Sequence, residues 1–171
     1  MHYQRLLAGF SFDANGPYLV LDDFKNSARE FLYLSQFMGT ISRLKERFCV
    51  GRCDLVSLQW DQCPQGARLT PKTRGNTCRA CALSTGFNPA FYNTSSISSQ
   101  QSAYNRMPHI VYLAYFAPGR IKVGIAQKRR QLKRLLEQGA RAAFILQEFP
   151  DAYQARELNE EIGRASCRER V

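Results

Sequence analysis

Four cysteines, Cys49, Cys63, Cys78 and Cys81, stand in a stretch where Gly, Pro and Thr displace most of the apolar residues. Few side chains there can offset the entropy of ordering the chain, so a metal is the simplest agent to fix it. Zinc takes four thiolates in a tetrahedron, each about 2.3 Å from the ion. Cys78-Arg79-Ala80-Cys81 has the two-residue spacing that lets both sulfurs of one tight turn meet a single ion. Cys63, followed by Pro64 and Gly66, lies in turn chemistry that can present a further ligand. The fourth is Cys49 or Cys53. Cys49, close to Gly51, is the preferred choice, with Cys53 as spare or alternative. A closed set of this kind has no open coordination position, so it supports folding and does not activate water. A disulfide framework and a redox pair compete with this reading. No secretory signal supports the first, and no βαβ pattern surrounds Cys78–Cys81 to support the second.

The other chemistry lies in HIVYLAYFAPGRIKVGIAQKRRQLKRLLEQGA, residues 109–140. His109 to Phe116 is β-branched and aromatic, Pro118-Gly119 is a turn, and Arg120 to Ile125 reads as a second strand. Gln127 to Gln138 reads as a helix with Leu132, Leu135 and Leu136 as its apolar stripe, closed by Gly139. Lys122, Lys128, Arg129, Arg130, Lys133 and Arg134 cluster on this hairpin and helix. Such a stripe is the footprint of a phosphate-binding surface, although a solvated helix face looks the same when charge is the only guide. His109 is a cap or boundary residue, or a substitute for one of the cysteines.

The pattern H-I-V-Y at 109–112, K-V-G at 122–124, R-L-L-E-Q at 134–138 and a later Glu resembles the GIY-YIG nuclease superfamily. Together with the upstream cysteines, HIVYLAYF, IKVGI and LLEQGA are similar to a prokaryotic family catalogued as domain of unknown function 2797. The likeness is specific from Cys49 to about Glu160 and loose over residues 1–48. It implies a tyrosine that positions or deprotonates water, matching Tyr112, and a glycine matching Gly124. It further implies an arginine that stabilises phosphoryl charge, matching Arg134 with Arg130 as runner-up, and a carboxylate for a divalent ion, matching Glu157. Lys122 stands where the pattern has its second tyrosine, and Gln138 where it has its histidine. Losing two groups that handle protons and water weakens hydrolysis, while binding of phosphate is untouched.

The elements expected around these residues make an α+β chain. Residues 1–48 read as a β-rich region, with Asn15-Gly16-Pro17 turning between two strands, 25–38 as helix or strand, and a strand near 40–50. Residues 49–92 are the four-cysteine zinc-knuckle segment and 93–108 a polar linker and domain boundary. Residues 109–161 are a GIY-YIG-like β-β-α-β-α module, with a strand over Ala142–Phe149 and a helix opened by Asp151 with Gln154 as a capping box. The last residues, 162–171, back-translate to a common sequencing-library adapter. They are read as foreign to the protein, which makes the module truncated near Glu160. The net charge is +10, and residues 110–143 hold most of the excess. No apolar run is long enough to cross a membrane as a helix. With thiols at metal spacing and no export signal, the cytoplasm is the expected compartment.

The function expected is therefore a nucleic-acid-binding protein for DNA or RNA, stabilised by structural zinc, whose module does not cleave. One alternative is a phosphodiesterase using Tyr112, Arg134 and Glu157 with Mg2+ at Glu157. The other is a scaffold for protein partners.

Overall fold

The computed structural model describes residues 4–87 and 97–168, with side chains as far as Arg164. These residues divide into two compact units, the change falling between Gln101 and Ser102.

The first unit opens with an antiparallel meander in the order β1-β2-β3: β1 Leu6–Asp13, β2 Gly16–Asp23 and β3 Ala28–Tyr33. Asp13 accepts from Asn15 N–H at 2.8 Å and so closes the first turn. Asp23 closes the second by accepting from Lys25 N–H and the Asn26 amide. The ambiguous stretch at 25–38 thus contains a strand, Ala28–Tyr33, and one 3-10 turn at Leu34–Gln36, with no α-helix. Cross-strand aromatics decide it: Tyr18 lies against Phe31 and Tyr33 with ring centroids 5.3 and 5.4 Å apart. The strand expected near 40–50 shrinks to β4, Arg47–Phe48, because among the described residues no strand pairs with the residues before it.

Asp22 is 1% exposed. Arg29 grips its carboxylate through Nε and Nη2 at 2.7 and 2.9 Å, and Gln62 Nε2 approaches at 3.3 Å. Arg29 also donates to the Trp60 carbonyl and Gln62 to that of Ala28. This network fastens the meander to the chain just ahead of Cys63.

The cysteine segment has little regular structure. It comprises two short ribbons, β4 with β7 (Arg68–Leu69) and β5 (Arg52–Cys53) with β6 (Trp60–Asp61), followed by helix α1, Arg79–Thr85. At Gly51 φ is +97°, and a Cβ there would overlap the Asp61 carbonyl oxygen. Glycine is required at that crossing.

Helix α2, Ser99–Asn105, occupies part of the stretch expected to be a linker. Polar composition is a poor guide here, because Gln101 and Asn105 are both fully buried. Residues 93–96 of that expected linker lie outside the described residues.

The second unit is built from β8 His109–Ala117, β9 Arg120–Gln127, α3 Gln131–Glu137, β10 Ala142–Phe149 and α4 Ala152–Arg168. Its order along the chain is the expected β-β-α-β-α, and its antiparallel sheet has the order β10-β8-β9. The expected helix at 127–138 is shorter. Gln127 still belongs to β9 and Lys128–Arg130 form a 3-10 turn before α3. Gly139, at φ +73°, ends α3 as expected, with its N–H on the Leu136 carbonyl at 2.9 Å. Asp151 accepts from Gln154 N–H at 2.9 Å and opens α4. That helix continues through Ile162 to Arg168, across the onset of the residues read as foreign.

Ile110, Tyr112, Ala114 and Ala126 form the core of one sheet face, with Leu135 and Ala140 packed on it. Leu132 is 65% exposed and takes no part in that core. The expected stripe therefore narrows to Leu135, with Leu136 at its margin. Helix α4 lies against all three strands and buries Ala152 and Ala155.

Candidate metal centre and basic sheet face

The Sγ atoms of Cys49, Cys63, Cys78 and Cys81 all lie within 4.8 Å of one another. A tetrahedron of thiolates about 2.3 Å from a zinc ion has edges of about 3.8 Å, so the four sulfurs can close on one metal with small adjustments. Cys49, Cys63 and Cys81 are buried together with Leu69. The fourth cysteine of the cluster is thus Cys49. Cys53 sits on β5 with its thiol 3.5 Å from the Asp54 carbonyl, outside the set.

Backbone donors shape the site. Gly51 N–H and Cys78 N–H point at Cys49 Sγ at 3.4 and 3.1 Å. Burial pushes the Cys49 thiol up. Burial, then the neighbouring sulfurs, push Cys81 far up. Burial also works against Cys63, but the N–H groups of Ala67 and Gln65 and the sulfurs of Cys49 and Cys81 hold it down at about 7. Four sulfurs this close cannot all ionise without a cation among them. That is the condition a soft divalent ion satisfies, and the donor set fits a structural one.

In the second unit, the register pairs Tyr112 with Gly124 and Ala114 with Lys122, which puts all four on one sheet face. Tyr112 is 1% exposed, and a Cβ at Gly124 would come within 2.6 Å of its hydroxyl. The glycine makes room for the phenol. Gln138 bridges Tyr112 and Arg134. In the amide orientation that satisfies both neighbours, its NH2 donates to the Tyr112 hydroxyl at 3.2 Å. Its carbonyl then accepts from Arg134 Nε and Nη2 at 2.9 and 3.1 Å. Gln138, which in the sequence marks only a missing histidine, is therefore the link between two expected site residues. Its position four residues after Arg134 is the available signal.

The other expected residues fare differently. Lys122, Arg129, Lys133 and Arg134 are exposed. Lys128 is paired with Glu148 at 2.6 Å, and Arg130 with Glu137 at 2.8 Å. Those two cations are already engaged. Glu157 is exposed on α4, and among the described residues no hydrogen bond or ion pair joins it to Tyr112, Lys122 or Arg134. His109 is buried: its Nδ1 lies 2.7 Å from the Met107 carbonyl and its ring meets Tyr104 edge-on. It is a packed boundary residue and not a member of the cluster of four cysteines.

Among the described residues no helix is long and apolar enough to cross a membrane. What fold and site define is an α+β protein with a four-cysteine centre that can hold a metal ion. The family model "Protein of unknown function (DUF2797)" matches residues 44–167, and the chain belongs to that family. The match takes in the cysteine segment and the β8–α4 stretch up to residue 167, and leaves the meander outside. No curated protein and no solved structure matches the chain.

Proposed function

We propose that this chain binds nucleic acid through the β8–β9–α3 face, with zinc in the four-cysteine centre as a purely structural ion. In this reading residues 109–161 are a divergent GIY-YIG-like module that grips phosphodiesters without cutting them. The observation that carries it is the state of Arg134. Gln138 holds the guanidinium by its Nε and Nη2 edge, and the Nη1 end has no partner among the described residues. A guanidinium oriented by an amide and open at its other edge is prepared for a phosphate oxygen. Lys122 on the same sheet face and Lys133 beside it in sequence add charge without quenching it.

The test is anisotropy of labelled duplex DNA, single-stranded DNA and RNA over a salt series. Binding should weaken with salt at a log–log slope of about −0.9 per duplex phosphate contacted. Lys133→Glu with Arg134→Glu should abolish it. Unchanged affinity in that double variant refutes the surface.

A second reading, a Mg2+-dependent phosphodiesterase, draws support from the shared hydrogen-bond partner of Tyr112 and Arg134. It requires Glu157 to hold the ion. Equal cleavage of supercoiled and branched DNA by the natural protein and Glu157→Gln would remove Glu157 from any such role.

A further inference from the structure

From residue 62 to residue 136 the sequence has no Asp or Glu in 75 residues, yet it has 12 Lys and Arg. Those beyond Ala117 are Arg120 at the start of β9 and the six cations from Lys122 to Arg134 already considered. All the others except Arg106 lie between the ligands Cys63 and Cys81: Arg68, Lys72, Arg74 and Arg79. Arg68 is paired with Glu46 at 2.8 Å. Lys72, Arg74 and Arg79 are exposed and reach no carboxylate among the described residues.

The loop bearing them is tied down at many points. Thr73 N–H donates to the Thr70 carbonyl at 3.0 Å, and the two threonine hydroxyls meet at 3.0 Å. Arg47 on β4 reaches the loop, donating to the carbonyls of Thr73 and Gly75. Val50 N–H donates to the Asn76 carbonyl at 2.9 Å, and Cys78 N–H to Cys49 Sγ. One arginine thus holds the backbone while its neighbours stay outside, uncompensated. Cations on a fixed loop lose less freedom on meeting a ligand than cations on a free one.

Neutralising the metal centre is the competing role, since four thiolates around a divalent ion leave net negative charge. Backbone N–H groups already serve Cys49 there. The arginine lining the hollow beside Cys63, Cys78 and Cys81 is Arg52, which is itself tied to Asp61. Lys72, Arg74 and Arg79 are not among the residues of that hollow.

We propose that the metal-held segment from Thr70 to Arg79, a loop that runs into the first residue of α1, is a second nucleic-acid contact, in which Lys72, Arg74 and Arg79 grip backbone phosphates without reading bases. The proposal rests on the nucleic-acid reading of the chain but on a different unit of it. The test uses the full chain in the same salt series, with the triple variants Lys72→Glu/Arg74→Glu/Arg79→Glu and Lys72→Gln/Arg74→Gln/Arg79→Gln. Metal content and far-ultraviolet circular dichroism are measured alongside. The glutamate variant should bind about tenfold more weakly or worse, with a slope shallower by about 2–3, one phosphate per cation lost. The glutamine variant should fall between, and both should keep their metal. Natural affinity and slope in the variants overturn the loop contact and leave the Arg134 surface standing. Loss of metal by the glutamine variant also overturns it, because the cations would then serve the centre. If Lys133→Glu with Arg134→Glu binds normally while the loop variants fail, the loop stands and the sheet face falls. A natural protein that retains none of the three probes refutes both.

Discussion

Cys49 and Cys53 are four residues apart and chemically identical, yet only Cys49 joins Cys63, Cys78 and Cys81. Cys53→Ser should therefore keep one metal per chain and stay within about 0.5 kcal/mol of the natural stability. Cys49→Ser should lose the metal; elemental mass spectrometry and urea titration separate the two outcomes. Gly124 is equally specific. Adding a Cβ against the Tyr112 hydroxyl should cost about 1–3 kcal/mol by overpacking, and combined with Tyr112→Ala the two costs should be less than additive. For His109, burial holds the imidazole below its ordinary range, so the folded chain disfavours the proton more than the unfolded chain does. Stability from this group is complete above the unfolded value, about 6.5, and declines as pH falls toward the folded value. His109→Gln should flatten the rise of the urea midpoint between acid and neutral pH. An unchanged profile would assign that rise to other groups.

Among the elements, α3 shows how far periodicity reaches. The spacing of Leu132, Leu135 and Leu136 marks a helix with an apolar side, but only Leu135 packs on the core formed by Ile110, Tyr112, Ala114 and Ala126. Leu135→Ala should cost about 2–3 kcal/mol, whereas Leu132→Glu should change stability by no more than about 0.5 kcal/mol. A reversed order in urea midpoints would mean that α3 presents its other side. Helix α2 carries the opposite lesson. Its Ser and Gln content argues for a solvated linker, while burial of Gln101 and Asn105 makes it part of the fold. Strand β10 is legible to the residue, since Ala142–Phe149 is rich in apolar side chains. Its place at the sheet edge, with Phe144 67% exposed, is not legible.

For the whole molecule, the first unit has a thin core in which Cys49, Cys63 and Cys81 themselves are prominent buried residues. Metal removal by a chelator should therefore collapse amide-exchange protection over residues 47–86. Protection in β8 and β9 should persist, because their core holds no metal ligand. Uniform loss across both units would contradict the division between them. The sequence by itself determined what depends on neighbours along the chain: the hairpin after Pro108, the Asp151 cap, the Gly139 stop, the Cys-x-x-Cys turn and the clustering of charge. Tertiary structure decided what depends on residues far apart. It selected Cys49 as the fourth sulfur, buried Tyr112 against Gly124, paired Lys128 just after β9 with Glu148 on β10, and gave Glu157 no hydrogen bond or ion pair to Arg134 among the described residues. Spacing reports local geometry, but burial and the choice of partner are set only when distant segments compete for the same space.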